Sequence, residues 1–384
     1  MSTSGSKRTI VLFEDRAERI RELSDAIKPL LGSKFTLKVF PLDQEPAIKT
    51  GPYEDRLFKA LSDESYGDVV LLVTDRDLST QKWGGLSEAA VTRAAEKLGL
   101  PVACYRQARQ NPEERLKRIP GNGQLELPYS AEARAKRIIT ISKGFVEMEK
   151  LLQPLPAPEA KTTTKGGKKS KEPSVGDGAG TPGSLIARIL GQPDVGPHFD
   201  LFACGDQRAI MEVMKASKGN PTKLTPTQGK RLVVALGVWL ADLVMEYPGL
   251  LLNEVAAASY LDVHPEDFAK PKVKGIFASA SYSPSLPFAD EEEPMWWRHR
   301  LDDLVNEGQA VSGLDLCKSK GLRKLRFCPC SVKPTLHAGF YCMASRQPLS
   351  EEQSSGRVSW FPIGADLARL TARTHRALAP WIGS

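Results

Sequence analysis

The sequence predicts an α/β fold for its first part, a five-stranded parallel, doubly wound sheet, followed by a flexible linker, a mainly helical domain and a small mixed C-terminal module. Three observations predict it. Short apolar runs alternate with helical patterns through residues 1–152. Two of those runs, Ile10–Asp15 (IVLFED) and Val69–Leu78 (VVLLVTDRDL), end in carboxylates, as buried parallel strands do when their tips carry acids into a shared crevice. A stretch rich in Pro, Gly, Lys, Thr and Ser then interrupts the pattern. With 384 residues, the chain has room for two or three domains at about 100 to 200 residues each. The divisions expected are 1–152, 153–183, 184–309 and 310–384.

Composition narrows the function classes. Hydrophobic residues make up 41% and charged residues 26%, an ordinary globular balance. No window approaches the roughly 18 to 20 apolar residues of a membrane span. The opening MSTSGSKRTI lacks the apolar core of an export signal, so a cytoplasmic location is expected. The formal charge of +7 permits nucleic-acid contact without requiring it.

In chain order, strands are expected at Ile10–Phe13, Phe35–Phe40, Val69–Val73, Val102–Tyr105 and Gln124–Leu127. The first helix is marked by Ile20, Leu23, Ile27 and Leu30 at three- and four-residue steps. Strand–helix repeats of this kind build a parallel sheet with helices on both faces. Ligands bind such sheets at the carboxyl ends of the strands, where Glu14, Asp15, Asp75 and Asp77 would gather. Like charges so placed repel unless a hard cation such as Mg²⁺ neutralises them. A carboxylate beside that ion is positioned to accept a phosphoryl group.

These residues carry a resemblance. IVLFEDRAERIREL resembles the opening of a response-regulator receiver domain, whose acidic pair would here be Glu14 and Asp15, holding Mg²⁺. VVLLVTDRDLSTQKWGGLSEA resembles the third strand and its loop, with Asp75 in the place of the phosphoacceptor. LELPYSAEARAKRI resembles the last strand and helix. Two positions depart from the family: Leu127 stands before Pro128 where receivers carry a lysine, and the Ser or Thr ending the fourth strand is replaced near Tyr105 or Arg106. The combination resembles atypical receivers, which bind partner proteins without a full phosphorylation switch and occur in stress or phage-defence cassettes. It implies a partner protein or sensor kinase. The same acids also fit a Toprim-like nuclease loosely, with Glu14, Asp75 and Asp77 holding Mg²⁺. A solvated acidic rim is the plain alternative.

The last helix of this part spans Ala131–Leu152, with Ile138, Ile141, Phe145, Met148 and Leu152 in a heptad-like stripe. Such a stripe packs on its own sheet or joins a homodimer. Residues 153–183 have little to bury and read as a tether. Beyond it, helices are expected at Leu185–Leu190, Ala209–Met214 and Arg231–Met245. In LLNEVAAASYLDVHPEDF, Asn253 can cap a helix through Leu261, Asp262 and Val263 turn, and Pro265 opens a second helix. This, with WWRHRLDDLV downstream, resembles the excisionase and MerR-like helix-turn-helix family. The resemblance implies DNA contact, although Glu266 and Asp267 at the second helix's start repel phosphate.

In the C-terminal module, Cys317, Cys328, Cys330 and Cys342, with His337 between the last two, supply enough soft ligands for zinc. The spacing is not a CxxC pair, and buried free thiols are the alternative. Lys318, Lys320, Arg323, Lys324 and Arg326 form a basic run suited to nucleic acid or an acidic partner. Tyr341, Trp360 and Phe361 could stack on bases or fill a core. A helix is expected over Ala365–Ala377. No Ser/His/Asp set or HExxH motif is present. Together these features predict a regulatory or adaptor protein, with a Mg²⁺-dependent phosphodiesterase and a purely DNA-binding protein as alternatives.

Overall fold

The computed structural model describes residues 7–44, 50–78, 83, 86–106, 116, 124–152, 181–202, 210–211 and 224–382. Residues 153–180 of the expected linker and most of the helix expected at Ala209–Met214 lie outside these. The first part contains β1 (Arg8–Phe13), α1 (Ala17–Ile27), β2 (Phe35–Val39), α2 (Tyr53–Leu61), β3 (Val69–Asp75), α3 (Glu88–Leu98), β4 (Val102–Tyr105), β5 (Gln124–Glu126) and α4 (Ala131–Leu152). The five strands pair in parallel in the order β2-β1-β3-β4-β5. All seven residues of β3 are buried, because a central parallel strand is covered on both faces.

Alternation along the strands sorts their side chains into two layers. Ile10, Leu12, Leu71, Val73, Ala103 and Leu125 pack with Leu23 and Ile27 of α1 and with Ile138 and Ile141 of α4. Val11, Phe13, Leu72 and Cys104 pack with Leu57 and Leu61 of α2 and with Ala90 and Val91 of α3. Leu30, expected on the inner face of α1, is 38% exposed. A 3₁₀ turn with Pro29 takes over at Lys28–Leu30, and the shorter period swings the side chain off the buried stripe.

The second half contains α5 (Pro182–Ile189), α6 (Gly196–Asp200), α7 (Pro226–Trp239), β6 (Leu251–Asn253), α8 (Glu254–Tyr260), α9 (Pro265–Phe268), α10 (Pro271–Ile276), β7 (Met295–Trp297), α11 (Arg298–Glu307), α12 (Gly313–Ser319), β8 (Phe340–Cys342), β9 (Gln347–Leu349), β10 (Ala368–Arg369) and α13 (Ala372–Ile382). α5 starts at Pro182 under a Thr181 cap, two residues inside the expected tether. α7 is set by a capping box between Thr225 and Gln228 and continues into a π-helical turn, Leu240–Val244. The apolar run at Arg231–Met245 is therefore a core helix. Among the described residues no helix is long and apolar enough to cross a membrane.

The helix-turn-helix segment forms in the expected order, with a curtailed second helix. The Asn253 side chain accepts from the Ala256 amide at 2.9 Å to start α8, and Asp262 makes the turn at φ 55. α9 then lasts four residues, since Pro271 opens a separate helix with its own axis. β6 and β7 close the unit as an antiparallel pair. The helix expected from Ala365 begins only at Ala372. Ala368 and Arg369 instead pair with Tyr341 and Cys342, and Thr371 Oγ1 takes the Thr374 amide at 3.2 Å to start α13 after that strand.

α4 belongs to both halves. Its inner face covers α1 and β3, and its other side packs on α7, so the stripe Ile138, Ile141, Phe145 and Met148 is buried within the chain. Phe288, held at φ 61 where side chains rarely sit, lies so close to Gly144 of α4 that a Cβ there has no room, and the Phe145 ring likewise leaves none at Gly237 of α7. Phe288 meets Phe145 edge-on with ring centroids 5.1 Å apart. Lys136 and Thr140 of α4 add bonds to Glu292 and Asp290 at 2.7 and 3.1 Å.

Gly144→Val should lower stability by about 1–3 kcal/mol through overpacking, and Phe288→Ala by about 3–5 kcal/mol through the cavity it leaves. Measured by urea unfolding, the double variant should lose less than the sum of the two, because both act on one contact.

Candidate metal centre

The two acidic strand tips meet. β1 and β3 are hydrogen-bonded neighbours in register from Ile10↔Leu71 to Phe13↔Thr74, so Glu14 and Asp15 emerge beside Asp75. One ligand oxygen from each of Glu14, Asp15 and Asp75 lies within 4.8 Å of the others, and among the described residues no other set of three His, Cys, Asp or Glu does so. Glu14 and Asp75 are buried and Asp15 is half-buried. Asp77, also expected here, is exposed, and contributes its amide to Asp75 Oδ1 at 3.0 Å. Its carboxylate is not one of the three that gather.

Both Glu14 oxygens have donors. The Arg16 amide donates to Oε1 at 3.0 Å and the Tyr105 hydroxyl to Oε2 at 2.6 Å. Burial lifts the Glu14 carboxyl above its ordinary range; the Tyr105 and Arg16 bonds pull it down, while the charge of Asp75 and a bond with Asp15 push it up. The net direction is upward. Burial, then the nearby Glu14 charge, holds the Tyr105 phenol far above its usual titration, so it serves as a donor.

Tyr105 is the last residue of β4 and pairs with Asp75 across the ladder. Its ring lies under the Arg134 guanidinium at 3.9 Å, and Arg134 donates to the Pro128 and Tyr129 carbonyls at 3.2 and 2.6 Å. Leu127 is buried in the apolar layer under α4. Arg76, next to Asp75, bonds instead to Glu126 across β4 at 2.7 Å. Tyr105 and Arg134 are the site residues that pattern reading missed. The available signal was a tyrosine closing the apolar run VACY, and an arginine inside a helix stripe.

The remaining predicted residues fall elsewhere. Cys317 packs in the main core, while Cys330 and Cys342 share a small apolar cluster with Leu349. Burial pushes the Cys317 thiol up to about 11 and the Cys328 thiol up to about 12, whereas at Cys330 hydrogen bonds from Ser350 and from backbone amides outweigh burial and lower the thiol. The four sulfurs do not gather into one ligand set, since they lie on α12, β8 and the loop between them. His337 is turned to Asp262, with Nδ1 2.9 Å from Oδ2. Tyr341 and Phe361 are core residues, and Trp360 stacks on His375 with centroids 5.1 Å apart.

Of the basic run, Lys318, Lys320, Arg323 and Lys324 are exposed. Arg326 departs from the expectation of a free cation: it bonds Asp267 Oδ2 through Nε at 3.1 Å and Glu266 through Nη2 at 2.9 Å. Asp267 is buried, and Arg326 holds its carboxyl well below the ordinary range against the opposing effect of burial, with Lys270 assisting. A buried carboxylate requires such a partner, so that arginine is committed to the fold.

Comparison with protein-family models, with curated proteins and with solved structures finds no match.

A carboxyl raised above its unfolded value of 4.5 stabilises the fold fully only below that pH, and the contribution is lost as pH rises through the folded value. Glu14→Gln should therefore melt at a higher temperature than the parent near neutral pH, with the gap closing as the buffer approaches pH 4.5. Thermal unfolding followed by circular dichroism across that range checks the sign.

Proposed function

We propose that the chain is a regulatory adaptor whose first part is a doubly wound, receiver-like domain holding Mg²⁺ through Glu14, Asp15 and Asp75. The observation that carries this reading is the convergence of those three carboxylates within 4.8 Å at the tips of adjacent parallel strands. The residues fit the ion. Hard oxygen donors suit Mg²⁺, which keeps several waters when one or two carboxylates bind it, and a cation would offset the burial and the lesser Asp75 repulsion that raise Glu14. When bound, the ion supplies charge neutralisation at the strand tips. The chain's own residues orient Glu14, through the Arg16 amide and the Tyr105 hydroxyl.

In this reading Asp75 acts as a ligand rather than a phosphoryl acceptor, because Leu127 fills apolar space where receivers carry the lysine that grips phosphoryl oxygens. The partner is a protein, and a sensor kinase is the narrower choice. α4 gives the domain its route to the remainder of the chain, since Arg134 near its start covers Tyr105 and Phe145 further along meets Phe288. The nuclease reading lacks the exposed Asp77 as a third ligand and is not favoured.

Titration calorimetry with MgCl₂ should show one site on the full chain, weakened more than about tenfold in Asp75→Asn and unchanged in Asp77→Asn. Metal-dependent nicking of plasmid DNA that is lost in both variants would instead establish the nuclease. Absence of Mg²⁺ binding in the parent would remove the metal site.

A further inference from the structure

We propose that the segment from α12 to Arg326 is a sequence-independent contact for the phosphate backbone of duplex nucleic acid, made by Lys318, Lys320, Arg323 and Lys324. These residues are other than those of the acidic strand tips, and the proposal does not depend on the metal reading.

The first argument is charge. Residues 316–337 contain six Lys and Arg and no Asp or Glu. Lys320, Arg323 and Lys324 form no ion pair among the described residues, and Lys318 lies only loosely beside Asp315 at 4.0 Å. Their positive charge therefore faces solvent with little internal compensation.

The second is presentation. These cations do not sit on a loose tail. Cys317 is in the core, the Leu322 amide donates to the Cys317 carbonyl at 3.0 Å, and the Gly321 amide donates to Lys318 at 3.0 Å. Gly321 takes φ 91, which lets the chain turn sharply without side-chain strain. Leu322, Leu325 and Phe327 pack inward, so Arg323 and Lys324 are held outward between apolar anchors. A cation on fixed backbone loses less freedom when it meets a phosphate than one on a floppy chain.

The third is location. The segment is stapled to both sides of the turn between α8 and α9: the Leu314 amide donates to the Leu261 carbonyl at 3.0 Å and the His264 amide to the Arg326 carbonyl at 3.0 Å. Lys272 on α10 is exposed on the adjoining helix. Base readout, however, has no long helix after this turn to carry it. α9 is four residues long and its two acids are occupied by Arg326, whereas reading a major groove needs a helix offering Arg, Lys, Asn or Gln to base edges. Phosphate contact without sequence choice is what remains. An acidic protein is the less favoured partner because the outward side chains of 318–324 include no aromatic, the residue type enriched at protein interfaces.

The test measures fluorescence anisotropy of two labelled DNA duplexes of unrelated sequence with the full chain over a salt series, beside the variant with Lys318, Lys320, Arg323 and Lys324 all changed to Gln. At about −0.9 per phosphate, four contacts give a slope of log K against log salt of about −3.6, a loss of roughly a hundredfold from 50 to 200 mM. Both duplexes should bind alike, and the variant should flatten the slope by three to four while keeping the parent's circular dichroism. Failure of both duplexes to bind at low salt makes the run solvated surface and overturns the proposal. So does an unchanged slope in the variant, a preference of more than about tenfold for one duplex, or equal binding of polyglutamate.

Discussion

The arrangement depends on bringing like charges together. Glu14, Asp15 and Asp75 lie at the tips of two neighbouring strands whose buried register leaves them no freedom to separate. In water such carboxylates would drift apart. Here they are held by the apolar layers on either side of the sheet, since slipping one strand by one residue would turn every core side chain to the wrong face. Packing in the layers therefore fixes the electrostatics at the rim. The local answer to the resulting repulsion is the donor pair on Glu14, one from backbone and one from Tyr105.

That donor ties the rim to the longest helix. Tyr105 is covered by Arg134, which is buried despite its charge because it is stacked on the ring and bonded to two carbonyls. The same helix is clamped by Phe288 where Gly144 makes room for its ring, and Gly237 of α7 makes room for Phe145. Such close contact between halves leaves few alternative packings, because interiors respond to added or removed volume as a unit. In the proposed regulatory reading, α4 is the element through which a signal at the rim would reach the second half.

In the second half, charge is divided between structure and surface. Glu266 and Asp267 are neutralised by Arg326 and Lys270, and Lys274 pairs with Glu254. The acids that weigh against DNA contact at the sequence level are thus internal partners, and so is Arg326, one of the cations that weigh in its favour. The rest of that basic run, on and after α12, stays outward.

Much of the first part was legible in the sequence. All five strands, the acid-tipped pair β1 and β3, and helices α1 and α4 follow from apolar periodicity, which is a local property. The α8 cap at Asn253 and the turn at Asp262 were readable for the same reason. The early stop of α1's stripe at Pro29, the strand at Ala368–Arg369, the separation of Cys317 from Cys330 and Cys342 into two apolar clusters and the commitment of Arg326 to Asp267 were decided by tertiary contacts. So were the roles of Tyr105 and Arg134. Periodicity reports which face of an element is apolar, but not which distant residue a polar side chain will meet. That depends on how the elements are stacked, because a buried charge or hydroxyl takes the partner that packing places within hydrogen-bond reach.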